Sequence, residues 1–277
     1  MPILSRPFLR ISMSSLERAV DLLRILAQHG GRGARLQDIA QEAGVARPSV
    51  HRLLATLKTL DLVEQDDASD RYQLGLGLYL LGQAAADRFD LLELARPFVE
   101  ALAWDTGDTT YLTVRHRYES ICLLRCEGSF PIKAFTTQSG ARQPLGLGAG
   151  SIALLAFLDD AKIEDILQRN HAVLEPHARF DMDSLLTQIS QARANGYILR
   201  KSTVVDGITT VAVPVFDYQH RPAASVSLTA IDTRMDPDRL PAVVQRCKDA
   251  AQSLQERLAI NRPEKKRQTI IAKPPTG

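Results

Sequence analysis

Apolar residues near the start of the chain recur at helical spacing in successive blocks. Ser14 and Glu17 form a capping box, and behind it Leu16, Ala19, Val20, Leu23, Leu26 and Ala27 follow the helical period until Gly30-Gly31 stops it. Gln37 to Ala43 predicts a short helix with Ile39, Ala40 and Ala43 on one side, broken by Gly44. Pro48 opens the next helix from its first turn, where a missing N–H is harmless, and Val50, Leu53, Leu54, Leu57 and Leu60 share its apolar stripe. Two helices joined by a tight glycine turn, with a third to pack on, predict a helix-turn-helix. Next, Leu62-Val63-Glu64 and Tyr72-Gln73-Leu74 flank the Asp/Ser-rich turn Asp66 to Asp70, the layout of a β-hairpin wing. Gly75 to Arg88 predicts a helix apolar over much of its circumference, which needs a second copy of itself or a following domain as cover.

From Asp90 the pattern changes. The stretch LLELARPFVEALAWDTG reads as an amphipathic helix, and TTYLTVRH, ESICLLRCEG and PIKAFTT alternate apolar and polar residues as antiparallel strands do. Simple alternation puts Cys122, Leu124 and Cys126 on one face of the middle strand. Residues 149–158 and 181–195 have helical periodicity; 197–198, 207–217 and 221–231 return to strand, the last two joined by a hairpin at Asp217 to Arg221. Asp236-Pro237 starts a closing helix striped by Leu240, Val243, Val244, Cys247, Ala251, Leu254 and Leu258. The expected class is α+β: a strongly curved sheet flanked by helices at each end, as in a sensor-like domain.

Composition adds boundaries. A chain of 277 residues with 45% hydrophobic content can bury a full core and predicts two domains. No apolar run approaches the ~18 residues that span a bilayer. The opening MPILSRPFLRIS has neither the long apolar core nor the cleavage site of a signal peptide. Cys122, Cys126 and Cys247 make an odd count without CxxC spacing, which points to a reducing cytoplasm and to buried thiols. The net charge of +2 says nothing about partners, since residues 14–75 hold eight Lys/Arg against nine Asp/Glu. The tail from Arg262, RPEKKRQTIIAKPPTG, is basic and aperiodic, and is expected to be disordered.

The candidate chemistry is local. On the second helix of the pair, Pro48, His51, Arg52, Ala55 and Thr59 lie opposite the apolar stripe, with Arg47 and Ser49 near the N-terminus. Segment 44–60 carries Arg47, Arg52 and Lys58 and no acid. Such a face suits a major groove, where arginine pairs with guanine or phosphate and serine fixes the backbone. The same pattern also suits the solvated side of a helical hairpin in some other all-α domain. Arg71, at the base of the wing, either reaches a phosphate or pairs with Asp66 or Asp67. For an enzyme the signals are weak: Cys122 and Cys126 sit in apolar strands without a neighbouring base. The stretch His171-AVLEP-His177-ARFD has a spacing that fits no metal pattern and reads as a solvated loop. No P-loop, GxSxG or dinucleotide fingerprint is present, so neither cofactor nor metal is expected.

Taken together, SLERAVDLLRILA, LQDIAQEAGVARPSVHRLLATLKTLDLVEQ and RYQLG in the first half, with PLGLGAGSIALLAFL, ANGYILRKSTVVDGITTVAVPVFD and AASVSLTAI in the second, resemble the IclR family of bacterial transcriptional regulators from about Ser14 to Leu258. The resemblance implies an N-terminal winged helix-turn-helix, a linker helix and a C-terminal GAF-like α+β effector-binding domain. Here these fall on residues 13–75, 76–90 and 91–260, between a flexible tail at 1–12 and a basic one at 261–277. It implies a cytoplasmic homodimer or homotetramer that binds double-stranded operator DNA and controls a catabolic operon in response to a small organic or aromatic acid. The DNA-reading set would be Arg47, Pro48, Ser49, His51 and Arg52, with Arg71 from the wing. Family positions that line the effector cavity fall on Gly148, Ala149, Arg200, Thr210, Ser227 and Thr229. Ser227 and Thr229, two apart on a strand, share a face, and the glycine-rich turn GLGAG offers amides to a carboxylate. Members that take small 2-oxo acids usually carry Asp where this chain has Arg200 and Cys at Thr210. Arg200 is therefore either a bidentate carboxylate partner or a surface residue beside Lys201. The reading from another class is an α+β enzyme with an appended helical domain.

Overall fold

The computed structural model describes residues 14–86, 91–177, 180–202 and 205–260. Both expected tails and the last residues of the expected linker helix lie outside the described residues. The chain divides into two compact units, Met1–Phe89 and Asp90–Gly277.

In the first unit, α1 (Ser15–His29) begins at the predicted capping box: Ser14 Oγ accepts from Glu17 N at 3.2 Å, and Ser14 N donates to Glu17 Oε2 at 2.8 Å. Strand β1 (Ala34–Arg35) leads into α2 (Leu36–Ala43), which ends on Gly44 at φ 63°, a left-handed conformation that favours glycine. Helix α3 (Arg47–Thr59) follows, then β2 (Val63–Gln65), β3 (Arg71–Leu74) and α4 (Leu76–Ala86). Leu22, Leu26, Ile39, Val50, Leu54 and Val63 close one core, each contributing about 1.5–3 kcal/mol by leaving water.

Two details differ from the pattern. Strand β1 pairs with β3 through Ala34 and Tyr72, so the wing is a three-stranded sheet in the order β1-β3-β2. Leu60 is 58% exposed and lies outside the core. The helix closes before it, with Leu62 N bonded to Leu57 O and Asp61 at φ 57°, so the helical stripe no longer sets its direction. The Asp61 carbonyl then accepts from Gly77 N, and a Cβ on Gly77 would meet that oxygen at 2.7 Å, which holds the start of α4 close to the turn.

The second unit runs α5 (Leu91–Thr106), β4 (Thr109–His116), β5 (Glu119–Glu127), β6 (Arg142–Pro144), α6 (Ala149–Leu155), α7 (Asp160–Leu174), α8 (Met182–Asn195), β7 (Ile198–Lys201), β8 (Ile208–Phe216), β9 (Pro222–Ile231) and α9 (Leu240–Ile260). Its antiparallel sheet has the order β6-β5-β4-β9-β8-β7. One face carries α5 and α9, whose Val99, Leu102, Val243 and Cys247 pack on Leu112, Val226 and Leu228. A separate core gathers α6, α7 and α8, and α6 packs on β8, β9 and β4.

Four expectations need correction here. PIKAFTT is not a strand. Pro131 has no N–H to donate, and the backbone of this segment bonds to side chains, Thr136 N donating to the Tyr111 hydroxyl at 3.2 Å and Thr137 O accepting from Arg125 at 3.5 Å. Cys122 and Leu124 do not share a face. Leu112 pairs with Leu124 but the next residue, Thr113, pairs with Cys122, so a β-bulge at Leu123 turns the thiol to the other side of the sheet. His171 is not in a loop but in the last turn of α7, a helix whose Ile163, Ile166, Leu167, Asn170 and Leu174 are buried. Finally, regular helix in α9 starts at Leu240; Asp236 Oδ1 caps the preceding turn by accepting from Asp238 N and Arg239 N.

Candidate functional site

On α3, the buried residues Val50, Leu54 and Leu57 anchor one side, while Arg47, Pro48, His51, Arg52, Ala55 and Thr59 are exposed and Ser49 is half-buried. The side chains of Arg47, His51 and Arg52 have no hydrogen-bond or ion-pair partner among the described residues. The sequence-predicted reading set is thus brought together on one open, cationic helical face. Arg71 is placed otherwise: its Nη1 donates to the carbonyl of Gly33 at 3.0 Å, tying β3 to the turn before β1, and not to Asp66 or Asp67. The wing tip beyond it is acidic. Asp66 accepts from the Ser69 hydroxyl at 2.6 Å and from its amide at 2.7 Å, and these bonds hold its carboxyl below the usual range.

The second unit holds a cavity on the sheet face opposite α5 and α9. It counts about 710 Å³ of empty space out to its open mouth, and its lining includes all six predicted effector residues, Gly148, Ala149, Arg200, Thr210, Ser227 and Thr229. The strand register explains their meeting. Arg200 pairs with Thr210, Thr210 with Thr229, and Tyr111 with Ser227, so these side chains stand in adjacent rows across β7, β8, β9 and β4. Thr210 and Thr229 join their hydroxyls at 2.9 Å. Gly148 turns the chain at φ 84° into α6, and the first turn of α6 lies tight on the sheet, where Ser225 Oγ donates to Gly150 O at 2.8 Å. A Cβ at Gly150 would stand 3.1 Å from both Ser225 Oγ and Thr113 Oγ1.

Arg200 supplies the electrostatics. Burial pushes its guanidinium down from the ordinary arginine value, and its Nη1 is buried without a hydrogen-bond partner among the described residues. A buried donor that no protein group satisfies is costly, and an anion relieves both the desolvation and the missing bond. Arg200 is thereby a buried cavity residue, whereas Lys201, at the rim of the same lining, is mostly exposed and has its ammonium 3.9 Å from Asp232.

Sequence comparison bears on both sites. The IclR helix-turn-helix domain matches residues 15–67, and the bacterial transcriptional regulator IclR C-terminal domain matches residues 83–256. The chain belongs to the IclR family of transcriptional regulators. Among its relatives, the regulator KipR of Bacillus subtilis is 29% identical over 80% of this chain and 89% of that protein. The glycerol operon regulatory protein of Streptomyces coelicolor is 30% identical over 91% of this chain and 98% of its own length. Of solved structures, an IclR regulator from Alicyclobacillus acidocaldarius superposes with a TM-score of 0.72 at 26% identity, covering 90% of this chain and all of that one. An IclR homologue from Microbacterium hydrocarbonoxydans, solved with 4-hydroxybenzoate, also gives a TM-score of 0.72, over 88% of this chain and 99% of that one, but at 20% identity it speaks for the fold alone. These relatives are named as regulators, not as enzymes. No helix among the described residues is long and apolar enough to cross a membrane, and no group of three or more metal-ligating side chains gathers among them.

The cavity of this IclR regulator also contains residues that sequence reasoning missed: Tyr111, Thr113, Cys122 and Gln143. The Tyr111 hydroxyl donates to Ala134 O at 3.1 Å and accepts from Thr136 N, tying the wall segment to the sheet floor. Burial raises that phenol above its ordinary range, which keeps it a neutral donor. Tyr111 and Thr113 share a face of β4, but only the pairing of β4 with β9 sets them beside Ser227 and Ser225. Cys122 was not legible, because the bulge reverses its face, and no local signal announced that.

Proposed function

We propose that this IclR regulator is a cytoplasmic, ligand-responsive homo-oligomer whose affinity for operator DNA of a catabolic operon is set by a small organic acid. The observation that carries the ligand half of the reading is the buried Nη1 of Arg200, which has no hydrogen-bond partner among the described residues, in a cavity that none of their carboxylates lines. A carboxylate there would form a charge-assisted pair with the guanidinium. The DNA half is supported by the open face of α3, where Arg47, Pro48, Ser49, His51 and Arg52 would enter the major groove, Arg71 contributing through its remaining nitrogens. Homo-oligomerisation is supported by α4, on which Leu76, Tyr79, Leu80 and Leu81 are all more than half exposed. Two copies would read the two halves of a pseudo-palindrome. The acid acts by binding one conformational state better than another, because only differential affinity moves such an equilibrium. A gel-shift titration on a labelled duplex from just upstream of the gene tests this, with and without a panel of organic acids. Retardation that one acid abolishes or strengthens is the expected result; no retarded band, or one indifferent to every acid, overturns it.

A further inference from the structure

The walls of the cavity narrow the chemistry of the acid, granted the reading above that an acid binds there. Arg200, Thr210 and Thr229 stand in one row across three neighbouring strands, with Ser227 in the adjacent row. Their backbones therefore follow one another at the strand spacing of roughly 4.8 Å, and the two threonine hydroxyls close to 2.9 Å. Thr113 and Ser227 line the same space, and their hydroxyls have no hydrogen-bond partner among the described residues. Thr210 and Thr229 share one bond between them, which leaves each able to make another.

Apolar side chains are few in the lining, although carbon atoms, many of them from the threonines, make up the larger part of its surface. Ala141, Leu147 and Ala149 supply the aliphatic lining, and the aromatic ring present, Tyr111, has its hydroxyl engaged by Ala134 and Thr136. A flat aromatic acid would satisfy Arg200 but would displace water from Ser227 and Thr113 without replacing its hydrogen bonds, and such unpaired groups penalise binding. A hydroxylated carbon chain replaces them. We infer that the cavity selects a short aliphatic hydroxy acid of the aldonate class, its carboxylate on Arg200 and its hydroxyls on Thr210, Thr229 and Ser227.

The test is calorimetric titration of the full-length protein with threonate, gluconate, butyrate, 4-hydroxybenzoate and the neutral polyol sorbitol. Either hydroxy acid should bind at least ten times more tightly than butyrate or 4-hydroxybenzoate, and sorbitol should not bind. Arg200→Gln should remove acid binding at unchanged circular dichroism and with a Tm that holds or rises, while Arg200→Lys, which keeps the charge, should retain part of it. Ser227→Ala should shrink the hydroxy-acid advantage and leave butyrate unmoved. If 4-hydroxybenzoate binds best and Arg200→Gln still removes it, the hydroxy-acid assignment falls while the organic-acid reading stands. If the hydroxy acids win but Ser227→Ala leaves their advantage intact, the assignment of hydroxyl contacts falls. Binding by none of the acids, or binding that ignores Arg200, overturns both.

Discussion

Replacing Arg52 by alanine isolates DNA contact from everything else the protein does. The side chain is exposed, has no partner among the described residues and lies on the face of α3 opposite Val50, Leu54 and Leu57. Its removal deletes no side-chain bond to another described residue. Alanine is moreover the best helix former, so the thermal midpoint should hold or rise slightly. What remains is the interaction with the duplex, about 1–3 kcal/mol for an arginine on a base edge or phosphate. At about 1.4 kcal/mol per decade, each half-site loses roughly five- to 150-fold in affinity. In a symmetric dimer both half-sites lose it together, so the measured loss should approach the product. Fluorescence anisotropy over a salt series separates the two modes of contact. If Arg52 pairs with phosphate, the slope of log K against log salt falls by about one per copy and all sequences weaken alike; if it reads a base, discrimination is lost and the slope is unchanged. Gluconate or any other bound acid should retain its affinity. Unchanged operator affinity, or a loss accompanied by a lowered midpoint, would refute the assignment.

Asp108 is nearly fully buried and accepts from Arg234 Nε at 2.8 Å and Arg239 Nη2 at 2.5 Å, while both arginines also donate to Thr106 O. Asp108→Ala leaves two guanidiniums without their counter-charge and should cost about 3–5 kcal/mol by urea unfolding, whereas a change under ~1 kcal/mol would show the cluster to be dispensable. Burial pushes the thiols of Cys122 and Cys247 up to about 12, above their unfolded value. Their protonated form is favoured by the fold, so their contribution is complete below the unfolded thiol pKa and is lost as pH rises through the folded one. Native alkylation near neutral pH followed by mass spectrometry should accordingly find both cysteines unmodified, with half-buried Cys126 labelled first. Leu80→Asp with Leu81→Asp, both on the exposed surface of α4, should shift sedimentation toward the protomer if that helix is the oligomer contact, and a protein still fully assembled would place the contact elsewhere.

How much of this was readable in advance depends on the range of the forces involved. Elements fixed by contacts a few residues apart were legible: the Ser14–Glu17 capping box, the left-handed Gly44 between α2 and α3, and the hairpin that Asp217 and Arg221 close. So was the shared face of Ser227 and Thr229, two apart on β9. Elements decided by distant partners were not. PIKAFTT alternates like a strand, yet its polar backbone is satisfied by Tyr111 and Arg125, residues that the alternation does not name. Strand β1 is two residues long, too short for periodicity, and exists because β3 offers it an edge. The bulge at Leu123 is the instructive case. A single extra residue reverses the face of every position on one side of it, so Cys122 leaves the apolar layer under α5 and α9 and joins the cavity. Period-two reasoning is therefore sound only between bulges. Alternation stays in phase along β8 and β9 because the register from Thr209 to Val215 of β8 runs without a shift, whereas across the β4–β5 pair it does not.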